Sequence, residues 1–102
     1  MRHACRVLIL ASALVAVPGL ARAQWALGSI MTVFIDPADL VLVLSQPGSC
    51  GSSYFTVSRG NANFKEMVAL SLTAFAASKD VSLWVTGCAG NRQVVSHGGV
   101  YR

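Results

Sequence analysis

The alternation of apolar and polar positions predicts three short strands in the first half of the chain. Residues 29–35 are rich in β-branched and aromatic side chains, and residues 40–44 form a second apolar run. Residues 36–39 separate them with a proline and two aspartates, which favour a turn. We therefore predict a β-hairpin, followed by a third strand over residues 54–58. The two faces of that third strand alternate: Tyr54, Thr56 and Ser58 on one side, Phe55 and Val57 on the other.

The spacing of apolar residues becomes helical after residue 62. Asn63 is a favourable N-cap residue, and Glu66 lies three positions later, where its carboxylate can reach a free backbone N–H. Lys79 lies near the other end, where a cation suits the helix dipole. We therefore predict a helix of about 15 residues. Its expected core-facing stripe consists of Phe64, Met67, Val68, Ser71, Leu72, Phe75 and Ala76.

A period of two returns after residue 80 and predicts two more strands. Residues 81–86 alternate between apolar and other side chains, and this strand is expected to end near Gly87 and Cys88. Residues 89–92 have the composition of a turn. The last strand is predicted over residues 93–96 and 100–101, with a break or bend at Gly98 and Gly99.

Residues 1–23 have the pattern of a cleavable secretory signal peptide. A positively charged start precedes an apolar stretch over residues 7–17, and small residues occupy positions 21 and 23. The apolar stretch is shorter than the roughly 20 residues of a membrane-spanning helix. We expect cleavage after Ala23, a secreted or periplasmic location, no stable membrane span, and a single domain over residues 24–102. A buried helix or a membrane anchor is the alternative.

Removal of that segment changes the charge of the chain. The full sequence has a formal net charge of +4, but only five basic and four acidic side chains lie in residues 24–102. The remaining net charge of +1 argues against a nucleic-acid partner, because such partners require clustered Lys and Arg.

The same removal leaves two cysteines, Cys50 and Cys88. We expect them to form a disulfide, since small exported domains often depend on one. A zinc site would need three or four ligands, and only His97 is available to join the two thiols. We therefore expect no metal and no cofactor.

The element order β-β-β-α-β-β predicts a mainly β fold with one helix. It favours a five-stranded OB-like barrel stapled by the disulfide, in which the helix plugs one open end. Five short strands that close on themselves hide most of their edges. The alternative is an open antiparallel α+β sheet with one packed helix.

A family resemblance points to the same architecture. The segment Phe64-Lys65-Glu66-Met67, the helix that it begins, and residues 78–85 resemble the helix-to-strand passage of bacterial toxin B subunits of the pertussis and subtilase-cytotoxin type. This resemblance implies an exported, disulfide-containing OB-fold protein of a kind that assembles into pentameric rings and binds cell-surface glycans. It assigns no sugar-binding residue to this sequence.

The sequence favours binding over catalysis. Residues 24–102 contain one histidine and four carboxylates, and each carboxylate has a structural explanation in a turn, a helix start or a strand start. We find no phosphate-binding loop, zinc spacing or nucleophile elbow. We therefore predict a non-catalytic binding module for a glycan or a cell-envelope ligand. A structural subunit of a homo-oligomer or of a toxin-like delivery complex is the alternative, and an enzyme that uses His97 is least favoured.

The expected ligand-binding face follows from the OB-like architecture. OB-folds bind on the face of strands two and three and with the loops that join strands one–two and four–five, here residues 36–39 and 89–92. Packing against the barrel or a neighbouring subunit is the alternative role for its aromatic residues. The candidate ligand contacts combine planar rings with hydrogen-bonding groups: Tyr54, Arg59, Trp84, Asn91, Arg92 and His97.

Overall fold

The computed structural model describes residues 23–102, and the predicted signal peptide lies outside them apart from Ala23. The described chain is mainly β with one helix, in the predicted order β-β-β-α-β-β. No helix in this range is long and apolar enough to cross a membrane. The elements are β1 (Gln24–Ile35), β2 (Asp39–Leu44), β3 (Tyr54–Ser58), α1 (Phe64–Ala77), β4 (Asp80–Ala89) and β5 (Arg92–Val100).

The five strands hydrogen-bond in a closed ring of order β1-β2-β3-β5-β4. Closure is possible because β1 is long: residues 30–35 pair with β2, and residues 24–29 pair with β4. All neighbouring strands are antiparallel except β3 and β5, which run parallel. The open-sheet alternative is therefore wrong.

β1 starts at Gln24 and not at residue 29, where the sequence pattern placed it. The apolar pattern of its first half is inverted relative to a usual half-buried strand. Trp25 and Leu27 are more than half exposed on the outer face, whereas the alternate positions hold the small residues Ala26 and Gly28. The usual strand pattern, with large apolar residues on the inner face, therefore does not predict this half of β1.

β5 runs without interruption through Gly98 and Gly99, so the break predicted there is wrong. The irregularity lies earlier in the strand. His97 and Val95 pair with consecutive residues of β4, which leaves Ser96 without a cross-strand partner. Such a bulge re-aims the neighbouring side chains of the strand.

Two asparagines that precede α1 bind the backbone of this bulge. The side-chain amides of Asn61 and Asn63 donate to the carbonyls of Val95 and Ser96, at 3.4 and 3.0 Å. Asn63 does occupy the N-cap position, as predicted, but its side chain makes no capping hydrogen bond. The predicted capping role of its side chain is therefore wrong, and the bond that its amide nitrogen donates to Ser96 directs the side chain to β5 instead.

The helix has nearly the predicted length but turns a different face to the core. Met67 and Ser71 are buried as predicted, and Ala74 joins them. Leu72 and Phe75 were expected in the same stripe, yet they are 45% and 46% exposed. Ala76 is exposed as well. The helix therefore contributes less apolar surface to the core than its sequence suggests.

The core lies inside the closed sheet, where alternate residues of every strand point inward. The alternation predicted for β3 and β4 is confirmed, since Phe55, Val57, Val81, Leu83 and Val85 are all buried. α1 covers part of this core. The buried apolar cluster comprises Ile30, Leu40, Leu42, Leu44, Phe55, Val57, Met67, Ala74, Val81, Leu83, Val85 and Val95.

The connection between β2 and β3, residues 45–53, is fastened to the sheet at two points. The predicted Cys50–Cys88 disulfide is confirmed and ties this connection to the end of β4. The second point is Gln93, whose side chain is completely buried. Its Nε2 donates to the carbonyls of Ser52 and Tyr54 at 3.0 and 2.7 Å, and its Oε1 accepts from the backbone N–H of Cys50 at 2.8 Å.

Candidate functional site

The closed sheet distributes the predicted ligand contacts over three places on the surface. Arg59 lies just after the end of β3. Trp84 and His97 lie on the outer face of β4 and β5. The other three candidates lie around the start of β3 and β5: Tyr54, Asn91 and Arg92.

Arg59 is fully engaged by the loop between β1 and β2. Its Nε donates to the carbonyl of Pro37 and its Nη2 to the carbonyl of Asp36, both at 2.8 Å. The guanidinium also lies 4.9 Å from the centre of the Phe64 ring. The observed role of this side chain is to hold the loop and the start of α1.

Trp84 and His97 belong to an aromatic cluster whose third member, Trp25, is not among the predicted site residues. The three side chains form one cross-strand row, because Trp84 pairs with Trp25 of β1 and with His97 of β5. The indole rings meet edge to face with centres 5.0 Å apart. The imidazole lies 5.6 Å from the Trp25 ring and stacks on Trp84 at 6.1 Å. We call Trp25, Trp84 and His97 the aromatic cluster.

A groove of about 430 Å³ runs beside this cluster. Its floor is the next cross-strand row, in which Ser82 pairs with both Leu27 and Gly99. Tyr101 lies beyond that floor, so the groove runs between an indole and a phenol. We call this cleft the aromatic groove, and its lining residues, none of them charged, are Trp25, Leu27, Ser82, Gly98, Gly99 and Tyr101.

The two glycines of the groove have different roles. A Cβ on Gly98 would lie 2.6 Å from the backbone oxygen of Ser82, so only glycine fits there without displacement. A Cβ on Gly99 would meet nothing within 4 Å. Gly98 therefore allows the strands to approach, while Gly99 keeps the groove open.

His97 is oriented by its neighbour in the chain. Ser96 Oγ and His97 Nδ1 lie 2.7 Å apart, at the bulge of β5. Within residues 23–102, no carboxylate hydrogen-bonds to this imidazole, and no group of three or more His, Cys, Asp and Glu side chains is placed to hold a metal ion. The imidazole is thus an exposed, fixed hydrogen-bonding group at the edge of the aromatic cluster.

Tyr54 and Arg92 are brought together on a different part of the outer surface. They begin β3 and β5, which run parallel, and the Arg92 guanidinium lies 5.6 Å from the centre of the Tyr54 ring. A cleft of about 250 Å³ adjoins them. We call it the Tyr54–Arg92 cleft, and it is lined by Phe34, Asp36, Val41, Tyr54 and Arg92.

Asn91 lies in the two-residue turn between β4 and β5, next to this cleft but not in its lining. Its carbonyl accepts a hydrogen bond from the hydroxyl of Ser52 at 2.5 Å. That contact connects the turn to the β2–β3 connection.

Sequence reasoning missed three outer-surface residues that line these clefts: Trp25, Phe34 and Tyr101. Trp25 and Leu27 alternate with small residues, and this period of two was a usable signal for an outward-facing strand. Tyr101 lies beyond the last strand, and its backbone N–H, which donates to the carbonyl of Asp80 at 2.8 Å, places it beside the groove.

Comparisons with protein-family models, curated proteins and solved structures give no match to this chain.

Proposed function

We propose that the chain is an exported, non-catalytic binding module whose aromatic groove takes a sugar ring from a glycan or a cell-envelope saccharide. The observation that carries the proposal is the aromatic cluster, which lies exposed beside a groove without charged lining residues. A pyranose has one face of C–H groups and a rim of hydroxyls. Aromatic faces and a few fixed hydrogen-bonding groups suit such a ligand.

The exposure of the rings supports this proposal. Trp25 and Tyr101 are 53% and 52% exposed, and Leu27 is 54% exposed beside them. Contiguous exposed apolar surface on a small protein commonly marks a contact site. The imidazole of His97 and the phenol of Tyr101, which are both exposed, supply the polar partners that sugar hydroxyls require.

The strand order supports the further proposal that the closed sheet is an OB-like barrel. Its ring order and the helix between β3 and β4 agree with that architecture. The disulfide supports export, because such bonds persist in oxidising compartments. The signal peptide and the cleavage after Ala23 remain part of this proposal.

A glycan array with the Trp25→Ala variant tests the function. We expect the unmodified protein to bind a defined set of uncharged saccharides. The variant should bind these saccharides at least about tenfold more weakly, because it has lost one stacking ring. The hits are then titrated as soluble monovalent saccharides, so that avidity does not contribute. Phe75→Ala, which removes an equally exposed ring on α1, serves as the matched control.

A second pair of variants tests the groove without changing the cluster. Gly99→Leu places a side chain in the open space of the groove. Gly87→Leu places the same side chain in open space on β4, outside the groove. We expect only the first to abolish saccharide binding. Equal binding by both variants, or no saccharide bound by the unmodified protein, would refute the proposed site.

Exposed apolar residues on the helical side favour assembly as a second candidate function. Met31 is 60% exposed and lines a common cleft with Phe75, and Leu72 lies one helical turn from that ring. In this case the chain is a subunit of a homo-oligomer or of a toxin-like delivery complex. Sedimentation equilibrium at micromolar concentrations should then show an oligomer that Phe75→Ser dissociates. A single monomeric species would exclude the homo-oligomer.

A further inference from the structure

The Tyr54–Arg92 cleft contains one group of each charge, and both lack a charged partner. Asp36 and Arg92 line the same cleft without forming an ion pair with each other. The Arg92 guanidinium donates to no acceptor within residues 23–102 and is positioned only by the Tyr54 ring. This differs from Arg59, whose guanidinium is used by two backbone carbonyls. Arg92 therefore keeps its planar set of donors for an external anion.

Asp36 is held in place by its backbone, not by its side chain. Its N–H donates to the carbonyl of Asp39 at 2.7 Å, and its own carbonyl accepts from Arg59 at 2.8 Å. The side-chain carboxylate has no hydrogen-bond partner within the described range. Within residues 23–102 it thus carries an unpaired negative charge at the loop side of the cleft, on a backbone that is held in place.

Aromatic and apolar side chains form the rest of the cleft. Phe34 pairs across β1 and β2 with Val41, and Tyr54 begins the next strand. Val41 is only 2% exposed, whereas Phe34 and Tyr54 are 47% and 39% exposed. The cleft therefore has an aliphatic floor between two aromatic side chains. Aromatic rings attract cations through their faces, and most strongly where a carboxylate is near.

The position of Arg92 is well defined because its neighbour in the chain is an anchor. Gln93 is completely buried and donates to the carbonyl of Tyr54, so both sides of the cleft are fixed to each other. A preformed site of this kind avoids much of the ordering cost of binding.

We propose that the Tyr54–Arg92 cleft binds a small zwitterion, with its anionic oxygens on Arg92 and its ammonium group between Asp36 and the two rings. This proposal does not rest on the saccharide function, because the cleft and the aromatic groove have no lining residue in common. Phosphocholine and glycine betaine have the required pair of charges. Either a free zwitterion or a zwitterionic lipid headgroup supplies this chemistry.

Titration of the ¹⁵N-labelled protein with phosphocholine, glycine betaine, choline and inorganic phosphate tests the proposal. We expect at least one zwitterion to shift the amide signals of Tyr54 and Arg92 at millimolar or lower concentration. Arg92→Gln should weaken that binding by about tenfold or more, as loss of a charged hydrogen bond implies. Asp36→Asn should weaken it to a similar extent by removing the attraction between opposite charges, because a quaternary ammonium group has no N–H to donate. Lys65→Gln and Asp80→Asn, which change exposed charges elsewhere, should leave it unchanged.

A comparison with phosphatidylcholine vesicles distinguishes the two sources. Binding to the vesicles as well as to phosphocholine indicates a lipid headgroup, and binding to the soluble compound alone indicates a free ligand. The proposal is overturned if neither zwitterion binds. It is also overturned if choline or phosphate alone binds as tightly, or if Asp36→Asn has no effect.

Discussion

Gln93 shows how one buried side chain can organise a surface site. Its amide binds one carbonyl and one N–H of the β2–β3 connection and the carbonyl of Tyr54 in β3, and it adjoins Arg92 in the Tyr54–Arg92 cleft. A buried amide with complete hydrogen bonding stabilises a single arrangement of the backbone around it. A nonpolar side chain at this position would remove all three of these hydrogen bonds, and of the three backbone groups the Ser52 carbonyl would keep a bond from the N–H of Gly48 at 2.9 Å.

Gln93→Leu should therefore lower the free energy of unfolding by about 3 kcal/mol, because it removes three hydrogen bonds that each contribute on the order of 1 kcal/mol. Urea denaturation followed by tryptophan fluorescence measures this change. Gln46→Leu, in the exposed part of the same connection, is the control and should have almost no effect. Equal midpoints for the two variants would show that the observed amide contacts do not contribute to stability.

The structure brings four of the six candidate ligand contacts together in pairs, and residue chemistry alone did not predict that grouping. Trp84 and His97, and likewise Tyr54 and Arg92, meet in pairs on the outer surface. Trp25 was missed because its importance depends on its partner across the strands, which lies almost 60 residues away in the sequence. A local pattern indicates which face of a strand is buried, but it does not identify which residue of a distant strand lies opposite.

At the scale of elements, the bounds of the helix were predictable but its orientation was not. The apolar residues of α1 extend around more than one face, so their spacing alone does not select which side meets the core. The contact of Asn63 with β5 and the small residues Ser71 and Ala74 determine that side. The predicted start of β1 and the predicted break in β5 were wrong for a related reason. The pairing partner, not the local composition, determines where each strand begins and how far it continues.

Replacement of one buried and one exposed side chain of α1 by alanine tests this orientation. Met67→Ala should cost about 2–4 kcal/mol of unfolding free energy, because it leaves a cavity in the core. Leu72→Ala should change that free energy by less than about 1 kcal/mol, because the side chain is nearly half exposed. Thermal and urea unfolding of both variants provide the comparison. Similar losses for both would support the stripe predicted from the sequence and contradict the observed face.

The disulfide connects two elements that are distant in the chain, and its removal tests how far the β2–β3 connection depends on it. Cys50→Ser/Cys88→Ser should lower the free energy of unfolding by about 4 kcal/mol, as the chain-entropy model gives for a loop of this size. Unfolding of the unmodified protein in reducing buffer should match that of the double variant. If reductant leaves the urea midpoint of the unmodified protein unchanged, the bond does not contribute to stability.

At the scale of the whole molecule, closure of the sheet places two unlike clefts on one small domain. The aromatic groove uses the first half of β1 with β4 and the end of β5, and the Tyr54–Arg92 cleft uses the second half of β1 with β2, β3 and the start of β5. The long first strand therefore contributes to both. Element order and the cysteine pair made a compact, disulfide-linked β fold predictable, whereas the location of the clefts required the strand register.

The most direct test of the proposed function is to map a bound saccharide by NMR. The best uncharged saccharide from the array is titrated into the ¹⁵N-labelled protein. We predict that the indole N–H signals of Trp25 and Trp84 and the amide signals of Ser82 and Gly99 shift together and saturate with one dissociation constant. Shifts confined to α1 or to the Tyr54–Arg92 cleft, with both indole signals unchanged, would contradict a saccharide site in the aromatic groove.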